Sequence, residues 1–167
     1  MHVKPSPVVN SSPIIALVAA LPDFDALAGI VERCIVPAEV IEELIAGGLK
    51  DDAAARVRAA SWCHVRPPCV FPPDSLVQRL GAGEAAVIQT ALHEELPLVV
   101  IDEVRGRRAA RLAGLRVVGS LGLLVELHHA RLLSSVEDAI RRMQAKGIHL
   151  APNLIQMTLE ATREQRA

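Results

Sequence analysis

Four positions in this 167-residue chain put an oxygen-bearing side chain at the end of an apolar segment or on the helix that follows one: Asn10, Glu43, Glu84 and Asp102. The sharpest is Leu98-Val99-Val100-Ile101-Asp102, a strand of buried type that runs straight into an acid. A basic stretch follows at once, with Arg105, Arg107, Arg108 and Arg111. Crowded carboxylates repel one another, so a cluster of them argues for a cation. Oxygen donors suit a hard divalent ion such as Mg²⁺ or Mn²⁺, which keeps several waters. Such an ion polarises a phosphate and lowers the pKa of a water enough for attack on phosphorus. Arginines offer paired donors to phosphate oxygens, and Arg107 and Arg111 share one helix face.

Each residue also has a plainer reading. Glu84 in a first helical turn complements the helix dipole. Glu43 beside Glu42 can lie on a solvated face. Asn10 before Ser11-Ser12 is a good turn former, and Asp102 can cap the next helix. The arginines can form an ordinary solvated face paired with Glu103 or Glu94. Other chemistries lack residues to carry them. There is no phosphate-binding glycine loop, no dinucleotide fingerprint and no His-Glu-x-x-His pair. His128-His129 reads as helix surface. With aromatics at 2%, a base-stacking platform has little support.

The elements that would position these residues alternate in the manner of a parallel α/β sheet. Val8-Val9 reads as a short strand, followed by an N-cap at Asn10-Ser11-Ser12 and Pro13 in the first turn of a helix running from Ile14 to Ala20. Asp23 to Val31 reads as a second helix. Cys34-Ile35-Val36 is a strand closed by Pro37. Glu39 to Ala46 is a helix stopped by Gly47-Gly48, and Asp51 to Ala60 another. Trp62 to Pro73 is broken by prolines, with a candidate strand at His64-Val65. A helix over Gly83 to Glu95 leads into the strand Leu98 to Ile101. Helices over Val104 to Ala113, Leu121 to Ala130 and from Ser134 or Ser135 to Lys146 follow, with a third or fourth strand at Arg116-Val117-Val118. Pro152 to Arg166 reads as a C-terminal helix. We expect one domain over residues 1–150 and a helical extension over 151–167. Binding sites in such sheets lie beyond the carboxyl ends of the strands, where Asn10 and Asp102 fall.

Composition sets outer limits. The hydrophobic fraction is 51% and mean hydropathy is +0.31, with a core of Ala, Val, Leu and Ile. No apolar run approaches the roughly 18 residues of a membrane span, and no secretory leader is evident. A net charge of −1 means that nucleic-acid binding must come from a local basic patch. Cys34, Cys63 and Cys69 are odd in number and lack Cys-x-x-Cys spacing, so they read as buried thiols of a cytoplasmic protein rather than a disulfide framework or zinc site.

Val8-Val9-Asn10-Ser11-Ser12-Pro13-Ile14-Ile15-Ala16-Leu17, Ile35-Val36-Pro37-Ala38-Glu39-Val40-Ile41-Glu42-Glu43-Leu44, Gly83-Glu84-Ala85-Ala86-Val87-Ile88 and Ile101-Asp102-Glu103-Val104-Arg105-Gly106-Arg107-Arg108 occur in that order. Together they resemble the PIN-domain proteins, in particular an uncharacterised subfamily of predicted nucleic-acid-binding proteins linked to prokaryotic toxin–antitoxin systems. The resemblance continues through Gly114 to Leu124. It implies a three-layer α/β/α fold with a parallel sheet and a Mg²⁺- or Mn²⁺-dependent ribonuclease. Position by position, the four metal-holding acids fall on Asn10, Glu43, Glu84 and Asp102, the last three as the catalytic acids. An antitoxin partner and a homodimer are further implications. Asn10 departs from the usual Asp. It keeps an oxygen but loses a charge, which at close range would weaken metal affinity by on the order of a few kcal/mol. A non-catalytic RNA-binding or protein-interaction module is therefore the competing expectation, and a small-molecule-binding α/β protein a third.

Overall fold

Short runs of β-branched residues become the strands. The computed structural model describes residues 4–47, 52–68 and 79–164. Among them lie β1 (Val8–Val9), β2 (Cys34–Pro37), β3 (Cys63–Arg66), β4 (Leu98–Val100) and β5 (Arg116–Val118). They form one sheet in the order β3-β2-β1-β4-β5, and every pairing is parallel. Val8, Ile35, Val36, Val99 and Val100 are fully buried. Continuous burial is what a parallel sheet with covered faces demands. Arg116-Val117-Val118, expected as a third or fourth strand, is the fifth.

Eight α-helices accompany the sheet among the described residues: α1 (Ser11–Ala20), α2 (Ala38–Ala46), α3 (Ala53–Ala59), α4 (Ala82–His93), α5 (Val104–Leu112), α6 (Ser120–His129), α7 (Val136–Ala145) and α8 (Pro152–Glu164). The result is the three-layer α/β/α architecture. Local chemistry sets many of the boundaries. The Ser135 hydroxyl accepts the Asp138 N–H at 3.1 Å and starts α7. Beyond α5, Gly114 takes φ +83°, a conformation that favours glycine at a helix exit. Arg142 Nε donates to Ala20 O at 2.6 Å and ties α7 to the end of α1. Ile155 and Leu159 of α8 pack against the core.

Several expectations need correction. The segment Asp23 to Val31 is not an α-helix but a 3-10 helix over Phe24–Gly29. Bonds from Ala26 N to Asp23 O and from Ile30 N to Leu27 O close its tighter turns. A Cβ on Gly29 would collide with Leu132, so the glycine permits the close approach. His128 and His129 are half-buried rather than on a helix surface, and His128 Nδ1 lies 3.0 Å from Leu133 O. Glu94 does not pair with α5. Arg66 of β3 donates to it twice, at 2.6 and 3.0 Å. That bond holds the Glu94 carboxyl below its ordinary range.

Cys34 and Cys63 are register partners across β2 and β3, and both are free. The Cys63 thiol and burial push the Cys34 thiol well up, which suppresses its thiolate. Cys34 is the buried thiol expected, whereas Cys63 is only half-buried. Gly48, Asp51, Cys69, Pro73 and Arg166 lie outside the described residues. No helix among the described residues is long and apolar enough to cross a membrane.

Candidate metal and nucleic-acid site

The strand order reverses direction between β1 and β4, both of which leave the sheet at the same end. Such a reversal opens a crevice beyond the strand ends. Asn10 follows β1 there, and Asp102 and Glu103 follow β4. The Asn10 N–H donates to Val100 O at 3.0 Å, which fixes the two exits side by side. Asn10 stands at the cap position of α1, but its side chain makes no capping bond. Instead its Nδ2 donates to Glu103 Oε2 at 3.3 Å. Ser12 Oγ donates to the other Glu103 oxygen.

Glu43 reaches the same region from α2. It is half-buried, unlike exposed Glu42, so it is not part of a solvated face. Its two oxygens accept from Ser11 Oγ at 2.6 Å and from Gly83 N at 2.8 Å. A Cβ on Gly83 would stand 2.5 Å from Glu43 Oε2, so glycine makes the room for that carboxylate. Glu84 sits in the first turn of α4, where Oε2 accepts the Gly81 N–H at 3.2 Å. Glu43 Oε1 and Glu84 Oε2 lie 3.9 and 3.8 Å from where a Cβ on Gly81 would stand. Both acids therefore converge on the entry to α4. Glu84 Oε1 turns toward Gly106, where a side chain would strike it.

Asp102 takes a different direction. It does not cap α5, the helix that follows it. Its Oδ1 accepts the Ser120 N–H at 2.7 Å, at the start of α6. Burial raises the pKa of Asp102 and the nearby Glu103 charge adds to that, while Ser120 and Arg107 act the other way. Arg107 donates to Ile101 O at 2.8 Å, and burial, then Arg111, lower its pKa. Ser12, Asp102 and Arg107 share the wall of a cleft of about 940 Å³ that runs on between α6 and α8.

The α5 arginines do not pair with Glu103 or Glu94. Among the described residues, none of Arg105, Arg107, Arg108 and Arg111 forms an ion pair. Arg105 donates to Arg79 O. Arg105, Arg108 and Arg111 are exposed, and Arg107 is half-buried. An unpaired basic helix beside a group of acids is well placed to hold a polyanion.

A family comparison adds to this arrangement. The sequence model of the PIN domain matches residues 6–164, nearly the whole chain. The chain belongs to the PIN-domain family. No curated protein matches it. Membership points to nuclease-type activity on nucleic acid, and PIN domains typically use divalent metals.

Two buried oxygens test whether such an ion fits this PIN domain. Asn10 Oδ1 and Glu84 Oε1 are enclosed and accept no hydrogen bond. A buried oxygen without a donor costs about 1–3 kcal/mol, and a cation is a partner that would satisfy an oxygen of this kind. No three His, Cys, Asp or Glu side chains among the described residues gather closely enough to hold a metal by themselves. Mg²⁺ does not require that, because one or two carboxylates with waters are its ordinary protein ligands. The donor set fits the ion.

Glu103, Ser11, Ser12 and the backbone of Gly81, Gly83 and Ser120 are the contributors that motif reasoning missed. Glu103 had a usable signal. Consecutive residues leaving a strand point to opposite faces of the sheet, so the Asp-Glu pair after β4 offers acids in two directions rather than one.

Proposed function

We propose that this PIN domain is a Mg²⁺- or Mn²⁺-dependent endoribonuclease, acting as the toxin of a toxin–antitoxin pair in the cytoplasm. The observation that carries the reading is the pair of enclosed, donor-free oxygens, Asn10 Oδ1 and Glu84 Oε1, among carboxylates and next to a helix whose arginines form no ion pair among the described residues. Asn10, Glu43, Glu84 and Asp102 would hold the ion, directly or through water. When bound, the ion supplies a Lewis acid for the phosphate and an activated water.

The chain's own residues do the rest. Gly83 N and Ser11 Oγ fix both oxygens of Glu43, and Gly81 N fixes one oxygen of Glu84. Ser120 N holds Asp102 at the mouth of the cleft. Arg105, Arg108 and Arg111, exposed along α5, bind the phosphates of the strand, and Arg107 lines the cleft together with Asp102. These contacts are mostly to phosphate, so they position the strand without reading its sequence.

Neutral Asn10 favours a second reading, a PIN-fold module that binds RNA or an antitoxin without cutting. An Asp102→Asn variant separates the two. It keeps the shape and the Ser120 bond but removes a charge. Mn²⁺-dependent cleavage of RNA should fall by about 100-fold or more, since even supporting residues of metal sites are worth 10–100-fold. Gel retardation at low salt, where phosphate contacts are strongest, should change little. Equal cleavage by the variant and the wild type would remove Asp102 from the reaction.

A further inference from the structure

Asn10 is the place in the oxygen set where a charge is missing, and the structure shows how its amide is held. The residue is 2% exposed. Its Nδ2 meets Glu103 Oε2 at 3.3 Å, while its Oδ1 has no partner. An ionised carboxylate only accepts, and an amide presents a donor at one end and an acceptor at the other. The opposite rotamer would set two oxygens face to face. Glu103 thus admits one orientation of the amide, with nitrogen toward itself and oxygen toward the enclosed side. Ser12 Oγ anchors the second Glu103 oxygen, so the carboxylate cannot turn away freely.

We propose that Glu103 is a positioning residue that locks the Asn10 amide with its oxygen presented to the cation, and that it returns to the site the negative charge which an amide at position 10 lacks. The inference rests on the metal-centre reading of the site. It also removes the main objection to that reading, because Asn10 and Glu103 together do the work of one carboxylate. Glu103 does this from behind Asn10, across the gap between the exits of β1 and β4.

The test is a calorimetric titration of the full chain with Mn²⁺ alone, after removal of metal by EDTA. Three proteins are compared: wild type, Glu103→Gln, and the double variant Glu103→Gln with Asn10→Asp. The glutamine side chain can donate as well as accept, so in Glu103→Gln the Asn10 amide is free to flip. Mn²⁺ affinity should fall about 10–100-fold, with circular dichroism and melting of the metal-free protein little altered. The double variant should recover most of the lost affinity, because the introduced aspartate presents an oxygen either way up and carries its own charge. A merely structural tie between two loops would not be rescued in this way. Wild-type affinity in Glu103→Gln, or a double variant no better than Glu103→Gln, would overturn the assignment. Absence of Mn²⁺ binding by the wild type at millimolar concentration is a different failure. It would sink the metal centre itself, and the role of Glu103 with it.

Discussion

Glu84→Gln should abolish metal-dependent cleavage while changing the stability of the metal-free protein little. The two expectations share one cause. Glu84 Oε2 is satisfied by the Gly81 N–H, and a glutamine oxygen can accept the same bond. Glu84 Oε1 is enclosed with no donor, so without a cation the native carboxylate is a liability. Replacing that oxygen by an amide nitrogen removes a charge from the enclosure but brings in N–H groups that have no acceptor there, so the net change should lie within about 1 kcal/mol of zero. Activity should drop by on the order of 100-fold or more. A melting series with Mn²⁺ gives the check. Mn²⁺ at 100 times its Kd should stabilise the wild type by about 2.7 kcal/mol, and the variant hardly at all.

Ile35→Ala should have the largest effect on the fold itself. Ile35 is fully buried on β2, paired with Val8 of β1 on one side and His64 of β3 on the other. Its N–H donates to Pro7 O at 2.9 Å. With so few aromatic residues, aliphatic side chains such as this one carry the core. Truncation should cost about 2–5 kcal/mol, a large share of the roughly 5–15 kcal/mol that holds a domain together. Each kcal/mol lowers Tm by roughly 2–4 °C at this size. Denaturant melts would read the loss directly. Below the transition the variant should still bind Mn²⁺ like the wild type, because none of the oxygen donors lies on β2. A loss of metal affinity larger than the loss of folded protein would mean that β2 does more than support the site.

The strands and most helices were legible because their signals are local. Val99-Val100-Ile101 is a buried strand on composition alone, and Asn10-Ser11-Ser12-Pro13 is a helix start. The 3-10 form of Phe24–Gly29 was not, and neither was the close approach of Gly29 to Leu132, a residue distant in sequence. The same holds for the site. Glu43, Glu84 and Asp102 could be named from their places on elements, but their hydrogen-bond partners come from other elements. Ser11 and Ser12 looked like capping residues, yet they hold Glu43 and Glu103. Glu103 looked like a counter-ion for the α5 arginines and instead faces Asn10. The missing charge at position 10 was plain in the sequence. The carboxylate that stands behind it was visible only once β1 and β4 were side by side.

Cleavage of a labelled RNA by the wild-type protein, first stripped with EDTA and then given Mn²⁺, bears most directly on the idea that enclosed oxygens at the β1 and β4 exits hold a cation for phosphodiester hydrolysis. The stripped protein should leave the RNA intact, and millimolar Mn²⁺ should start cleavage that a second addition of EDTA stops. Cleavage that proceeds unchanged in EDTA, or RNA left whole at every Mn²⁺ concentration, would contradict it.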